Sequence, residues 1–434
     1  MLDIRYIREH PDEVQKKAEQ KGYKTNVHRI IELDDLRKQT IAEVEDLRAR
    51  RNELANQNQS GEPTEKQIEY GKELKADITQ RETKLAPVEA ELLALLKEVP
   101  NMPADDVPVG KSEADNIVDK EWGEKPHFDF VPKTHWQIAE SRDWIDKERA
   151  AKVTGSRFAY IKGDLVKLQL ALLNWLFDVL TDQKFIEPLA KKISPSLSGT
   201  PFTLVLPPLM LRTEVFDAMD RLEPRDDRYK IEGEELWLQG SAEHVLGSMH
   251  MNETIMETLL PLRYLGFATS FRKEAGSYGK DIEGIIRLHQ FDKLEMEVLS
   301  WEGQGEDEHK LLVSIQEEIM QRLKIPYRRI NKCTADIGKP NARGIDLEAW
   351  LPGEGRYLET HTADYMTDYQ ARRLETRMRS SVVSTPTQYV HTNDATALAF
   401  GRAMVAIIEN YQTADGKIKV PEVLQPYMQG KTQF

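Results

Sequence analysis

The sequence lacks the features that mark a secreted or membrane-embedded chain. It has one cysteine, Cys333, among 434 residues, so no internal disulfide can form. The N-terminal stretch MLDIRYIREHPDEV is charged throughout and has no apolar signal-peptide core. The most apolar stretch, residues 168–180, is too short and too polar for a membrane span and predicts a buried helix. These absences predict a cytoplasmic protein without membrane association.

Excess positive charge and the usual phosphate-binding loops are also missing. The formal net charge of -13 argues against general coating of a polyanion, so any nucleic-acid contact must use local basic patches. The sequence contains no GxxxxGK[ST] motif and no glycine fingerprint between a strand and a helix. If the protein binds a nucleotide, its side chains must hold it.

Between residues 28 and 98 the composition shifts to Glu, Lys, Arg, Gln, Ala and Leu, interrupted by NQNQSGEPTE around Gly61. In the second half of this segment, apolar residues recur at three- and four-residue steps: Leu74, Ile78, Leu85, Val88, Leu92 and Leu95. The pattern predicts an antiparallel helical hairpin, a coiled coil, over about residues 28–98. Each arm of roughly 30 residues would be about 45 Å long.

On its pattern alone, such a hairpin is a dimerisation or spacer element. Three arginines near its tip, Arg48, Arg50 and Arg51, favour a different role, because a long rigid arm can carry them to a phosphate backbone. Both interpretations remain open at this point.

A linker leaves the hairpin at EVPNMPADDVPVGKSEADN, which is rich in Pro, Asp and Gly. We therefore divide the chain into residues 1–110, the helical arm and linker, and residues 111–434. In the second part, strands such as RFAYIKG are not regularly separated by helices. This favours an α+β fold with a mixed or antiparallel sheet flanked by helices.

Residues 271–297, FRKEAGSYGKDIEGIIRLHQFDKLEME, predict two antiparallel strands joined by the glycine-rich loop AGSYGKDIEG. Arg272 and Glu274 share a face of the first strand. Alternation along the second strand places five residues on one face: Arg287, His289, Phe291, Lys293 and Glu295. Arginine suits a phosphate and a phenylalanine ring suits a base. A solvated sheet face with cross-strand ion pairs is the alternative.

The same stretch resembles the second signature motif of class II aminoacyl-tRNA synthetases, in the form found in seryl-tRNA synthetases. The resemblance extends over nearly the whole chain. LVLPPLM, with Pro207 and Pro208, is similar to the end of the first motif, a dimer-interface element. GIDLEAWLPGEGRYLE and DYQARR resemble the stretch before the third motif, and ALAFGRAMVAIIENYQ resembles that motif. The resemblance implies a class II antiparallel-sheet catalytic domain and a homodimer.

The resemblance also implies an ATP site. Arg272 would hold the α-phosphate, and adenine would lie between Phe291 and Arg402. Glu359 and Thr362 would support Mg²⁺ between the phosphates, and the catalytic residues would be Arg272, Glu359 and Arg402. The full implied ATP-binding set is Arg272, Lys273, Glu274, Arg287, Phe291, Glu359, Thr360, His361, Thr362 and Arg402.

An amino-acid site and a tRNA contact follow from the same resemblance. The implied serine-binding residues are Ser241, Ala242, Glu243, Arg272, Glu295 and Thr396. Arg48, Arg50 and Arg51 become candidate contacts to the tRNA backbone. The implied reaction is ATP-dependent activation of L-serine to seryl-adenylate, followed by transfer to the terminal ribose of tRNA(Ser). The alternatives are a tRNA-independent amino-acid ligase and a catalytically inactive RNA-binding scaffold.

The charged residues in the implied site suit this reaction. Attack of a carboxylate on an α-phosphorus builds negative charge that arginines and Mg²⁺ can stabilise, so no side-chain nucleophile is needed. The chain departs from the family pattern in three places. Ser241 replaces the usual threonine, and Asp394 replaces an asparagine. Where the family commonly has serine, cysteine and asparagine, this chain has His361, Thr362, Ala363, Asp364 and Tyr365. The two carboxylates add possible negative charge near the pocket.

Overall fold

The structure, a computed structural model, describes residues 1–57, 63–275, 283–382 and 384–434. These residues form two compact units, Met1–Met102 and Pro103–Phe434. The predicted hairpin break at Gly61 lies outside the described residues, as does most of the glycine-rich loop, residues 276–282.

The first unit is helical, and its two long helices correspond to the predicted hairpin. Its helices are α1 (Ile4–Glu9), α2 (Pro11–Gln20), α3 (Val27–Gln57) and α4 (Glu65–Glu98). Helix α4 begins with a capping box. The Thr64 hydroxyl accepts from the Gln67 backbone N–H at 3.3 Å, and the Gln67 side chain accepts from the Thr64 N–H at 2.8 Å.

Helices α3 and α4 bury an apolar seam and carry ion pairs beside it. Ile30, Leu33 and Val44 on α3 are buried, as are Leu74, Ile78 and Leu92 on α4. Cross-helix ion pairs flank the seam: Arg29 with Glu91, Arg37 with Glu89, Arg81 with Glu43, and Arg48 with Glu82. The seam supplies most of the stability, because exposed ion pairs contribute little.

The second unit contains the strands. They are β1 (Ile117–Trp122), β2 (Ile145–Asp146), β3 (Tyr160–Ile161), β4 (Thr203–Val205), β5 (Met210–Arg212), β6 (Leu236–Leu238), β7 (Thr254–Met256), β8 (Leu262–Phe271), β9 (Gln290–Ser300), β10 (Tyr327–Asn331), β11 (Arg343–Leu351), β12 (Arg356–Thr367), β13 (Arg377–Arg379), β14 (Gln388–Tyr389) and β15 (His391–Ala399). Eight of them form one sheet in the order β1-β10-β11-β12-β15-β9-β8-β4. All of its strand pairs are antiparallel except β4 with β8. The predicted α+β class is confirmed.

Helices cover one face of this sheet. The helices of the unit are α5 (His135–Ser141), α6 (Lys147–Thr154), α7 (Asp164–Leu180), α8 (Gln183–Ile193), α9 (Thr213–Ala218), α10 (Glu243–Leu246), α11 (Gly305–Arg322), α12 (Tyr369–Leu374) and α13 (Phe400–Asn410). Residues from α7, α11 and α13 share one apolar core with alternate residues of the central strands, such as Met296 and Ala395. The apolar stretch at 168–180 is therefore a core helix, as predicted. Among the described residues, no helix is long and apolar enough to cross a membrane.

A fully buried ion pair ties β8 to α11. The side chains of Arg263 and Glu308 are both 0% exposed. Arg263 Nε and Nη2 donate to the two carboxylate oxygens of Glu308 at 2.9 and 2.7 Å, and Nη2 also donates to the carbonyl of Ser198 at 2.9 Å. This bidentate geometry satisfies both charges where water cannot.

Neutralising one partner of this pair should destabilise the fold. We expect Glu308→Gln to lower the free energy of unfolding by about 3–5 kcal/mol, because it leaves the Arg263 charge buried without a counter-charge. Glu318→Gln is the matched control on the same helix, and loss of its partly exposed pair with Arg322 should cost at most about 1 kcal/mol. Equilibrium denaturation measures both, and equal losses would contradict the assignment.

Candidate active site

The register of the central strands arranges polar side chains in two rows on the sheet face opposite the helices. In the first row, Thr396 on β15 is paired with Glu295 on β9. In the second row, Asp364 on β12 is paired with Asp394, which is paired in turn with Glu297. Because paired residues on antiparallel strands share a face, each row is a continuous line of side chains across the sheet.

A cavity of about 230 Å³ opens over the first row. It is lined by nine of the residues predicted from the sequence: Arg272, Glu274, Arg287, Phe291, Glu359, Thr360, Thr362, Thr396 and Arg402. The lining also includes Leu288, Lys293 and Gly401. The structure thus brings together residues that are up to 130 positions apart in the chain.

Arg272 lies just beyond the end of β8, and Arg287 and His289 precede β9, so the strands are shorter than the sequence predicted. The backbone N–H of Arg272 still donates to the carbonyl of His289 at 3.0 Å. The Arg272 side chain turns inward: Nε donates to the Gly240 carbonyl at 2.9 Å, and its guanidinium carbon lies 5.4 Å from the Phe291 ring centroid. A fixed cation therefore stands beside an aromatic face at the cavity wall.

The strand ends early because the backbone turns sharply at Glu274. This residue has a positive φ of 54°, in the left-handed region. The turn brings the Glu274 carboxylate into an ion pair with Arg287. The pair crosses the base of the loop and fixes both side chains at the cavity rim.

Glu359 and Arg402 form a second ion pair at the cavity. Arg402 Nη1 lies 3.1 Å from Glu359 Oε1 and donates to the Glu359 carbonyl at 2.8 Å. Desolvation opposes ionisation of Glu359, but the charges of Arg402, Lys332 and Arg272 outweigh it and hold the pKa of Glu359 below its ordinary value. The carboxylate is therefore ionised at neutral pH, although it faces a cavity that also holds acids.

Thr362 presents an oxygen near this carboxylate. Its hydroxyl is buried and makes no hydrogen bond of normal geometry within the described part of the chain. A carboxylate and a hydroxyl are oxygen donors of the type that Mg²⁺ prefers. Glu359 and Thr362 therefore fit a hard divalent cation.

Behind the cavity lies a buried polar cluster around Glu295. Its carboxylate forms an ion pair with Lys293 and accepts from the Ser241 hydroxyl at 3.0 Å on Oε1. Lys293 also donates to the Ser241 hydroxyl at 3.3 Å. Glu295 Oε2 is buried without a hydrogen bond in the described residues, so this acceptor is available to a further hydrogen-bond donor.

Glu243 lies beside this cluster and is held by Arg221. Arg221 Nε donates to Glu243 Oε1 at 2.7 Å, and Gln370 donates to the same oxygen at 3.3 Å. Arg221 Nη2 also lies 3.8 Å from Asp394 Oδ1. Burial and the neighbouring carboxylates Glu243 and Asp364 raise the pKa of Asp394 well above its usual range, against the effect of Arg221.

Several predicted residues lie away from the cavity. Lys273 is exposed, and its ammonium lies 5.5 Å from the Tyr229 ring centroid. His361 is buried, with Nδ1 2.9 Å from the Thr360 hydroxyl, and burial lowers its pKa to about 4. Their side chains therefore do not contribute to the lining, because strand alternation turns His361 away from Thr362.

Lys293 is predicted on the polar strand face with Phe291 and Glu295, but not as a residue of the site. Arg221 is not predicted from the sequence at all. Arg221 follows the short helix α9 in an irregular segment, where no periodicity indicates direction.

The three arginines predicted on the arm are exposed on α3. Arg48 Nη2 lies 2.7 Å from Glu82, and Arg50 Nη2 lies 2.7 Å from Asp46. Two of the three are thus already paired with carboxylates of the arm, and any phosphate must replace these partners.

A second group of titratable residues lies outside the cavity. His135, Glu354 and Glu409 have potential ligand atoms within 4.8 Å of one another. However, Glu409 Oε1 accepts from the His135 backbone N–H at 2.9 Å, and Oε2 accepts from the Gly353 N–H at 2.8 Å. Both oxygens are committed to N–H donors, so the group is an ion-pair cluster that ties α5 to α13.

Comparison with known proteins adds independent evidence. Family models match for the seryl-tRNA synthetase N-terminal domain at residues 1–103 and for the class II tRNA synthetase core domain (G, H, P, S and T) at residues 228–411. A relative named serine--tRNA ligase from Symbiobacterium thermophilum is 38% identical over 432 residues, 98% of each chain. One with the same name from Nitrosopumilus maritimus is 36% identical over 433 residues, 99% of each chain.

Two solved structures are similar over the whole chain. One is seryl-tRNA synthetase from Pyrococcus horikoshii complexed with ATP, with a TM-score of 0.88, 35% identity, and coverage of 100% of this chain and 99% of that one. The other is cytoplasmic serine-tRNA ligase from Naegleria fowleri in complex with AMP, with a TM-score of 0.86, 28% identity, and coverage of 100% and 98%.

The His135 cluster predicts a pH-dependent contribution to stability. Burial opposes protonation, but hydrogen bonds to Glu354 and Glu409 outweigh it and raise the pKa of His135 above 6.5. The stabilisation is therefore complete below pH 6.5 and is lost as pH rises through the raised value. We expect the stability difference between wild type and His135→Gln to shrink from about pH 6 to pH 9. Chemical denaturation at both values measures it, with exposed His127→Gln as the control. A constant difference would refute the prediction.

Proposed function

The chain belongs to the seryl-tRNA synthetase family, and from that membership we propose that it activates L-serine with ATP and transfers the seryl group to the terminal ribose of tRNA(Ser). The observation that carries the proposal is the cavity in which Arg272, Phe291 and Arg402 converge. Two cations and an aromatic ring in one cavity suit a nucleoside triphosphate better than a neutral ligand.

We assign the nucleotide to this cavity. Phe291 stacks on one face of adenine while Arg402 covers the other and reaches the outer phosphates. Arg272 binds the α-phosphate, where its bond to the Gly240 carbonyl restricts its rotation. Arg287 is a further phosphate contact, and its pair with Glu274 orients it. Such preorganised cations stabilise the charge that develops at phosphorus.

We assign Mg²⁺ to Glu359 and Thr362. Mg²⁺ bound there supplies charge neutralisation for the phosphates. Glu359 stays ionised for this role because Arg402, Lys332 and Arg272 surround it. The Glu359–Arg402 pair also links the cation ligand to the arginine that covers adenine.

We place serine between the cavity floor and the buried cluster behind it. Glu295 Oε2 makes no hydrogen bond among the residues that the structure describes, and Thr396 is paired with Glu295 across β15 and β9. These groups suit a small hydroxyl side chain, and Glu243 supplies a carboxylate for the ammonium group. A buried acceptor that a substrate hydroxyl must satisfy discriminates strongly against substrates without one.

The attacking group is the serine carboxylate itself. It attacks the α-phosphorus, pyrophosphate leaves, and the terminal ribose hydroxyl of the tRNA then displaces AMP from the carbonyl carbon. Positioning and charge stabilisation therefore carry the chemistry. Cys333 does not line the cavity. It is buried at another place in the fold, with its sulfur 3.2 Å from the Ser112 carbonyl oxygen.

We propose that the first unit is the tRNA-binding arm and the second is the catalytic domain. We also propose a homodimer in the cytoplasm. Exposed apolar residues around the predicted dimer element support the dimer, since Leu206 is 80% exposed and Leu204 and Met210 are also exposed. A tRNA-independent ligase and an inactive scaffold are not favoured, because serine--tRNA ligases match over 98% of the chain, arm included.

ATP–pyrophosphate exchange tests the activation step. We expect wild-type exchange to depend on serine and Mg²⁺, and Glu359→Gln to need at least about tenfold more Mg²⁺ for half-maximal rate, because it removes a charged oxygen ligand. Glu318→Gln is the matched control and should titrate like wild type. Failure of the wild type to exchange with serine, threonine or alanine would overturn the enzyme assignment.

Neutralising the arm tests the tRNA role. We expect Arg48→Gln, Arg50→Gln and Arg51→Gln together to reduce tRNA(Ser) aminoacylation at low substrate by roughly tenfold or more, because three phosphate contacts are lost. Serine-dependent exchange should stay within about twofold, since it involves no tRNA.

The paired acids of the arm offer a matched control. Glu82→Gln with Asp46→Asn removes the carboxylates that hold Arg48 and Arg50 and keeps all three arginines. This variant should charge tRNA as well as wild type or better. If the arginine variant loses exchange and aminoacylation equally, or if both variants lose charging equally, the arm is not a phosphate contact.

A further inference from the structure

Four buried carboxylates converge beside the proposed amino-acid pocket. Asp364, Asp394 and Glu297 form the second row across β12, β15 and β9, and Glu243 faces this row from α10. Each of the four side chains is at least nine-tenths buried. Mutual repulsion and desolvation act together here, so the four cannot all be ionised without a counter-charge.

Glu297 illustrates how unfavourable this environment is for negative charge. Both of its carboxylate oxygens are buried and make no hydrogen bond among the described residues. Burial, Asp394 and Glu243 all raise its pKa well above the ordinary value. The neutral acid is therefore the form that this position favours.

Arg221 is a cation placed within this group, and Lys332 is a second cation that acts on Asp364. Arg221 donates to Glu243 at 2.7 Å and to Asn341 Oδ1 at 3.3 Å, and its Nη2 is 3.8 Å from Asp394. Asp364 also acts on it electrostatically. A glycine makes room for the guanidinium, because a Cβ at Gly338 would approach Arg221 Nη1 to 3.1 Å.

The contacts of Glu243 leave one of its oxygens for a ligand. Arg221 and Gln370 both donate to Oε1. No residue in the described part of the chain donates a hydrogen bond to Oε2. Arg221 thus fixes the carboxylate from one side while the second oxygen stays available to an ammonium group.

We propose that Arg221 is a specificity-determining positioning residue: by donating to Oε1, it orients the Glu243 carboxylate so that Oε2 can receive the ammonium group of the amino-acid substrate. The inference rests on the proposed function, because the ammonium group is that of the activated amino acid. Without Arg221, the buried Glu243 carboxylate loses its charged hydrogen-bond donor and its fixed orientation. The amino acid then binds weakly, while ATP binding is unchanged.

Steady-state exchange kinetics test this proposal through the separate KM values of serine and ATP. We expect Arg221→Met to raise the KM for serine at least about tenfold, as loss of one partner of a buried ion pair predicts, with the KM for ATP within about twofold of wild type. The double variant Arg221→Met with Glu243→Gln should raise the KM for serine no more than about twofold beyond Glu243→Gln alone, because Arg221 acts through that carboxylate.

Two further variants separate charge from folding. Arg225→Met is the matched control, since Arg225 lies in the same segment and pairs with exposed Glu223. It should behave as wild type. Arg221→Lys keeps the charge without the forked geometry and should fall between wild type and Arg221→Met. If Arg221→Met does not fold, the comparison of Arg221→Lys with and without Glu243→Gln gives the same readout.

Each outcome of these measurements either supports or overturns the role of Arg221. A selective rise in the serine KM that adds little to the effect of Glu243→Gln supports the role. Equal changes in both KM values, no change beyond the Arg225→Met control, or full additivity with Glu243→Gln would overturn it. Absence of serine-dependent exchange in the wild type would instead overturn the proposed function, so the two failures are distinguishable.

Discussion

The pairing register of β12, β15 and β9 is the constraint on which the site depends. Side chains alternate between the two faces of these strands, so Asp394 and Thr396 face the cavity side while Ala395 enters the core under the helices. A slip of one residue would bury the carboxylates among apolar helices and expose Ala395 and Met296 to the polar side. The core therefore fixes the register, and the register in turn fixes the spacing of the functional groups.

One consequence is a concentration of charge that the sheet must balance locally. Different cations serve different parts of the polar face. Lys293 pairs with Glu295, Arg402 pairs with Glu359, and Lys332 lies 3.5 Å from Asp346. Ionised carboxylates thus coexist with protonated ones within one face. The burial of each group and its nearest cation decide which form it takes.

The elements and site residues that could be predicted from the sequence were those marked by periodicity or by motif resemblance. The seam of α4 and the helix at 168–180 followed from apolar spacing, and the β8–β9 pair followed from alternation. The conformation of the residues just beyond the strand ends, such as Arg272 and Glu274, could not be predicted in this way. A positive φ at Glu274 breaks the alternation that a strand requires. Arg221 could not be predicted for a related reason: it lies in an irregular segment, and two of its partners, Asn341 and Asp394, are more than 100 residues away in the chain.

The ion pairs of the arm have a consequence for how it would meet RNA. Arg48 and Arg50 are each satisfied by an internal acid, so a phosphate that binds them takes the place of Glu82 or Asp46 rather than of a dissolved anion. The exchange frees a carboxylate, which then attracts cations from solution. Fewer ions are released overall than the number of arginines suggests, and the dependence of binding on ionic strength is correspondingly shallow. Discrimination among RNAs by such an arm then depends on shape more than on total charge.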